Sequence, residues 1–129
     1  MPHLEHLVAD EEPVFVGGPV EPNAVTALAE LTDDAEPALH VFEAVGFLPA
    51  DLSEEIEAAT MRARVFAGYS GWSAGQLEAE LAESSWILEP ARTEDVFVAD
   101  PEALWSTVLR RKGAEFRVLA LMPDDPSLN

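Results

Sequence analysis

Short apolar runs alternate with short polar segments along this chain. The first strong run is Val14-Phe15-Val16, three residues of high β preference closed by the pair Gly17-Gly18. Upstream of it, Leu4, Leu7 and Val8 read as the end of an amphipathic helix over 3–9. Downstream, Pro19 and Pro22 confine the chain to extended or turn geometry. Val25, Leu28 and Leu31 then fall on one stripe, which predicts a short helix over 23–31 with Asn23 as its cap. Thr32 to Pro37 reads as an acidic loop. Leu39 to Leu48 predicts a second strand, bent at Gly46.

A helix is predicted from Ser53, with Asp51 or Ser53 as cap and carboxylates in the first turn, where the helix dipole favours them. Arg62 to Tyr69 predicts a third strand, because Ala63, Val65 and Ala67 alternate with Arg62, Arg64 and Phe66. A helix over 75–83 follows, carrying Leu77 and Leu81 at i, i+4. Ser85 to Leu88 predicts a fourth strand and Val96 to Val98 a short fifth. Asp100-Pro101-Glu102 is a strong helix start, and Leu104, Trp105, Val108 and Leu109 make one apolar face behind it. Arg110, Arg111 and Lys112 suit the end of that helix, and Gly113 stops it. Phe116 to Leu121 predicts a last strand, and Met122 to Asn129 a polar tail. There is no internal repeat or linker. The alternation predicts one mixed sheet flanked by helices.

The length of 129 residues fits a single domain with a real core. A hydrophobic fraction of 48% argues against disorder. Charge narrows the function classes further. With 25 acidic and 7 basic residues the formal net charge is −18, and phosphate backbones are bound by Lys and Arg. Direct nucleic-acid binding is therefore not expected; basic partners suit such a surface. There is no cysteine, so thiolate chemistry, disulfides and Cys-based zinc sites are excluded. No run is apolar for the length of a membrane span, and the first residues have no signal-peptide core, so a cytoplasmic location without membrane attachment is expected.

The segment Gly68 to Glu78 carries the most candidate chemistry. It places three glycines, Tyr69 and Trp72 between a strand and a helix. Gly71-Trp72-Ser73-Ala74-Gly75 matches the G-x-S-x-G of a nucleophile elbow. An elbow serine needs a histidine, and His3, His6 and His40 all lie upstream of it, against the usual order. Ser73 is better read as the N-cap of the following helix. Glycines before a helix also suit an anion, but the segment has no Lys or Arg. Glu78 and Glu80 have acid–base chemistry, although carboxylates on an acidic helix are usually solvated. Tyr69, Trp72 and Trp86 are either core or pocket lining; if Trp72 is core, Trp72→Ala costs about 3–5 kcal/mol. His3 and His6 at i, i+3 lack an evident third ligand, and no metal or cofactor is expected. The Gly17-Gly18 turn resembles the later glycine segment. If both end neighbouring strands, they form two walls of one cleft.

Val14 to Val20, Val65 to Trp72, Gly75 to Glu80, Trp86, the helix Asp100 to Arg110 and the closing Asp125 to Asn129 together resemble the YqgE/AlgH family of bacterial proteins. The match runs in order over nearly the whole chain, and a single domain over 1–129 is expected. Family members begin with a further segment containing a hairpin and an Asn-Arg-Pro motif, so this chain reads as N-terminally shortened. The resemblance implies an α+β fold with a mixed, bent sheet flanked by helices. Missing strands would leave a sheet edge open to self-association. The family's activity is not established, and one member is described as a regulator of alginate synthesis.

The expected function is a non-catalytic binding or regulatory module for a protein or small ligand. Its candidate surface comprises Gly17, Gly18, Pro19, Gly68, Tyr69, Gly71, Trp72, Gln76 and Glu78. The alternatives are an enzyme with a site in the same cleft, and a transcriptional regulator, for which no basic recognition helix is present.

Overall fold

The computed structural model describes residues 13–121. The helix expected over 3–9 and the tail expected from Met122 to Asn129 lie outside them. The fold is α+β. It comprises five strands, β1 (Phe15–Val16), β2 (Val20–Leu31), β3 (Leu39–Phe42), β4 (Val45–Phe47) and β5 (Thr60–Tyr69), and four α-helices, α1 (Glu54–Ala59), α2 (Gln76–Ala82), α3 (Thr93–Val96) and α4 (Leu104–Lys112). The chain forms two compact units, the first ending at Trp86 and the second beginning at Ile87.

In the first unit the strands make one mixed sheet in the order β1-β5-β2-β4-β3. β1 runs parallel to β5, with Phe15 opposite Phe66. β2 is antiparallel to both β5 and β4. The helix expected over 23–31 is thus a strand. Its buried residues are Ala27, Ala29 and Leu31, a period of two. Residues 23–31 contain good helix formers, but a backbone paired along both edges overrides a propensity of a few tenths of a kcal/mol per residue. The single strand expected over 39–48 is instead a hairpin. Its chain reverses at Glu43-Ala44, where Glu43 takes φ 49°, and Gly46 pairs with both neighbours.

The core of this unit is built from small residues. Ala27, Ala29, Leu31, Leu48, Ala59 and Ala63 are buried together, with Leu52, Ile56 and Val65 packed against them. A buried methyl contributes about 0.8 kcal/mol, so this core gains stability from many modest burials rather than from large anchors. Helix α1 begins as expected: Ser53 Oγ accepts from the Ile56 N–H. β5 matches its expected strand with two further residues at its start.

The chain from Ser85 onward corrects three expectations. Residues 85–88 form no strand; Trp86, Ile87 and Leu88 are exposed and Trp86 engages α2. Residues 96–98 are not a strand either. Helix α3 reaches Val96, because the Asp95 carboxylate accepts the Arg92 N–H and closes a turn. The expected strand over 116–121 is replaced by two 3₁₀ turns, Ala114–Phe116 and Leu119–Leu121, with Val118 and Leu121 each 76% exposed. A strand needs a neighbour, and among the described residues this segment has none. Helix α4 does follow Asp100-Pro101-Glu102, through a 3₁₀ turn at Pro101–Ala103, and ends at Gly113.

Arg111 is the tie of the second unit. Its guanidinium donates to both Asp95 oxygens at 2.9 and 2.7 Å and to the Pro90 carbonyl at 3.2 Å, with Glu89 Oε2 3.6 Å from Nε. That fork holds the Asp95 carboxyl below its ordinary range, and Arg111 correspondingly higher than usual. Lys112 donates to the Leu88 carbonyl and lies over the Phe116 ring at 5.4 Å. Two of the three adjacent cations therefore serve their own unit.

Candidate functional site

The two glycine turns do stand at the ends of neighbouring strands. They meet backbone to backbone. The Gly17 N–H donates to the Ala67 carbonyl at 2.7 Å. A Cβ on Gly17 would lie 2.4 Å from the Gly68 oxygen, and one on Gly18 would lie 2.2 Å from the Tyr69 carbonyl carbon. A Cβ on Gly68 would lie 2.3 Å from the Gly18 oxygen, and Gly68 itself has φ 76°. Here the glycines are required by both conformation and space. Opposite Gly68, β2 bulges between Val20 and Val25, and Pro22 sits in that bulge, where no ladder N–H is needed. The space between two cleft walls is filled by backbone at these positions. Beneath the junction, Phe15 and Phe66 pack at 5.9 Å, and the buried Arg64 guanidinium lies 4.5 Å over the Phe15 ring.

Beyond Tyr69 the character of the chain changes. No residue of α2 is buried, and Tyr69, Trp72 and Trp86 are 43%, 41% and 45% exposed. Ser73 does not cap α2. Gly75 does, in the left-handed conformation at φ 78° that suits glycine. The Ser73 hydroxyl instead donates to Gln76 Oε1 at 3.2 Å, and its N–H donates to the same oxygen at 3.0 Å. His40 is engaged elsewhere, through Nε2 to the Glu43 carbonyl at 2.6 Å. The hydroxyl of the elbow-like pentapeptide thus faces an amide, with no base in that bond.

These side chains converge on Glu80. Trp72 Nε1 donates to Glu80 Oε1 at 3.0 Å, and Trp86 Nε1 donates to the same oxygen at 3.2 Å. Gln76 Nε2 reaches Oε2 at 3.4 Å. The two indoles lean on each other at 5.9 Å and 53°. The carboxyl of Glu80 is held below the ordinary glutamate range, first by the Trp72 N–H, then by Trp86, with a smaller share from Gln76. Desolvation opposes this. Every donor is neutral, so the cluster stabilises the negative charge without cancelling it.

Of the expected site residues, Trp72 and Gln76 enter this cluster. Glu78 is exposed on the same helix, and Tyr69 and Gly71 lead into it. Gly17, Gly18 and Gly68 belong to the backbone junction, next to Pro19. Glu80 and Trp86 are the members missing from that expectation. One sequence signal points to them: Gln76 and Glu80 are spaced i, i+4 on one helix face, with a tryptophan on either side in the chain. Among the described residues no group of three His, Asp or Glu side chains is placed to hold a metal ion. No helix among them is long and apolar enough to cross a membrane.

The α+β fold is similar to those of solved bacterial proteins. A crystal structure of a Corynebacterium diphtheriae protein superposes with a TM-score of 0.81 at 22% identity, over 95% of this chain and 67% of that one. The solution structure of the AlgH protein from Pseudomonas aeruginosa does so with a TM-score of 0.59 at 26% identity, over 95% of this chain and 70% of that one. The AlgH-like family model matches residues 1–117, and the chain belongs to that family. A UPF0301 protein of Thermobifida fusca is 43% identical over 97% of this chain and 68% of its own length. A UPF0301 protein of Streptomyces avermitilis is 38% identical over 95% and 67%. The chain thus spans about two thirds of the relatives it matches.

Proposed function

We propose that this chain is a non-catalytic binding or regulatory module of the cytoplasm, and that Tyr69 to Trp86 is its recognition surface. One observation carries the reading: two exposed indoles are fixed in place by a shared carboxylate on a helix that contributes nothing buried. Exposed aromatic area with its polar ends already satisfied is well suited to bind, because little ordering remains to be done on association. The Gly17-Gly18 turn packs closely against Gly68 and Tyr69, where that surface begins, and serves as its mount. A partner protein suits these exposed aromatic faces better than a small ligand, which favours concave pockets. The charge of −18 disfavours direct contact with DNA, as a regulator acting on promoters would need.

The test is photo-crosslinking in cells from a benzoyl-phenylalanine at Ala79, between Glu78 and Glu80. A discrete adduct, identified by mass spectrometry and lost with Trp72→Ala, is expected. No discrete adduct, or one indifferent to Trp72→Ala, overturns the reading. Turnover of an ester or phosphoester probe that disappears in Glu80→Gln would put an enzyme in its place.

A further inference from the structure

Resting on that reading, we infer that the Trp72–Glu80–Trp86 cluster receives an arginine side chain presented by a basic segment of a protein partner. Among the described residues Glu80 has donors but no cation partner. Its Oε1 already accepts two hydrogen bonds and its Oε2 one, which leaves acceptor capacity on Oε2. Asp95 also collects several donors, yet Arg111 supplies its cation from within the chain. At Glu80 every hydrogen-bond donor is neutral, so its charge is held and left uncancelled.

The surroundings favour a cation of one kind. No basic residue occurs between Arg64 and Arg92, whereas Glu78 and Glu83 lie on and next to α2. The field there is negative, and the chain's net charge extends it and steers cations inward. Indole is the strongest common cation–π acceptor, and both rings are more than 40% exposed. A guanidinium is planar, stacks on an aromatic face and donates in its own plane to a carboxylate. An ammonium does only part of this.

The probe is a short acetylated and amidated peptide with two arginines separated by glycine, titrated into the whole chain. Its control is the same peptide with citrulline, which keeps the shape and loses the charge. Indole N–H signals in nuclear magnetic resonance report binding, and Trp105, in the second unit, serves as internal reference. Saturable shifts are expected at Trp72 and Trp86 with the arginine peptide alone. Glu80→Gln keeps an oxygen for the indoles and should weaken binding about tenfold. Glu78→Gln removes an equal charge from the same helix and should change it less than about twofold. Equal responses to arginine and citrulline, or equal losses in the two variants, overturn the inference. No shift with either peptide overturns it too, and the crosslink at position 79 then decides whether the recognition surface itself survives.

Discussion

Gly68 and Trp72 stand close together in the sequence, yet they meet their surroundings through different parts of the chain. At Gly68 the backbone itself makes the contact, against the Gly18 and Val20 carbonyls, and any side chain would be in the way. At Trp72 the side chain makes it, through an indole N–H to Glu80 and a ring against Trp86. The first region leaves no room for anything else. The second leaves large apolar faces uncovered. A glycine-rich aromatic stretch in one sequence is therefore two devices, a mount and a display, and glycine alone does not mark a ligand site.

The strongest way to break this contrast is Gly68→Ala. A Cβ in the left-handed region and inside a backbone contact should cost about 4 kcal/mol, from strain and overpacking together. Urea unfolding measures it. A loss under about 1 kcal/mol would mean that the two turns separate easily and that a cleft between them can open.

Trp72→Ala should be milder, about 2 kcal/mol, since the residue is 41% exposed and a hydrogen bond and a ring contact are lost at about 1 kcal/mol each. The 3–5 kcal/mol of a core tryptophan would show that the display is part of the core after all.

The smallest effect comes from acid. The Glu80 carboxyl titrates below its ordinary value of 4.5 in the folded chain. Its contribution is complete above that value and is lost as the pH falls through the lower folded one. Asp95 is shifted the same way, so overall stability mixes the two groups. Indole N–H signals of Trp72 and Trp86 separate them: both should move below pH 4.5 in the parent chain and stay flat in Glu80→Gln.

The strands that announce themselves locally were legible in the sequence. Val14 to Val16 and Arg62 to Tyr69 carry β-branched or alternating residues, and both pair as expected. β2 was not legible, because Val25, Leu28 and Leu31 satisfy a helical stripe while Ala27, Ala29 and Leu31 satisfy a strand. Only the partners on both edges decide between them. Phe116 to Leu121 failed in the opposite sense: its residues favour a strand, but among the described residues no neighbour pairs with it. The site divided likewise. Trp72 and Gln76 could be named from their setting, whereas Glu80 looked like one more solvated carboxylate until the two indoles were seen to point at it.

The parallel pairing of β1 with β5 also has a temporal side. Phe15 waits for Phe66, and Val20 for Tyr69, so the sheet joins segments that are far apart along the chain. Loop closure over such separations precedes any reward from the contacts, which slows the search for the native state. On a ribosome, the first strand would emerge well before its partner exists. Residues 13–16 then lack their β5 partner while the intervening hairpin and α1 are made, and the glycine junction cannot close before Gly68 is in place.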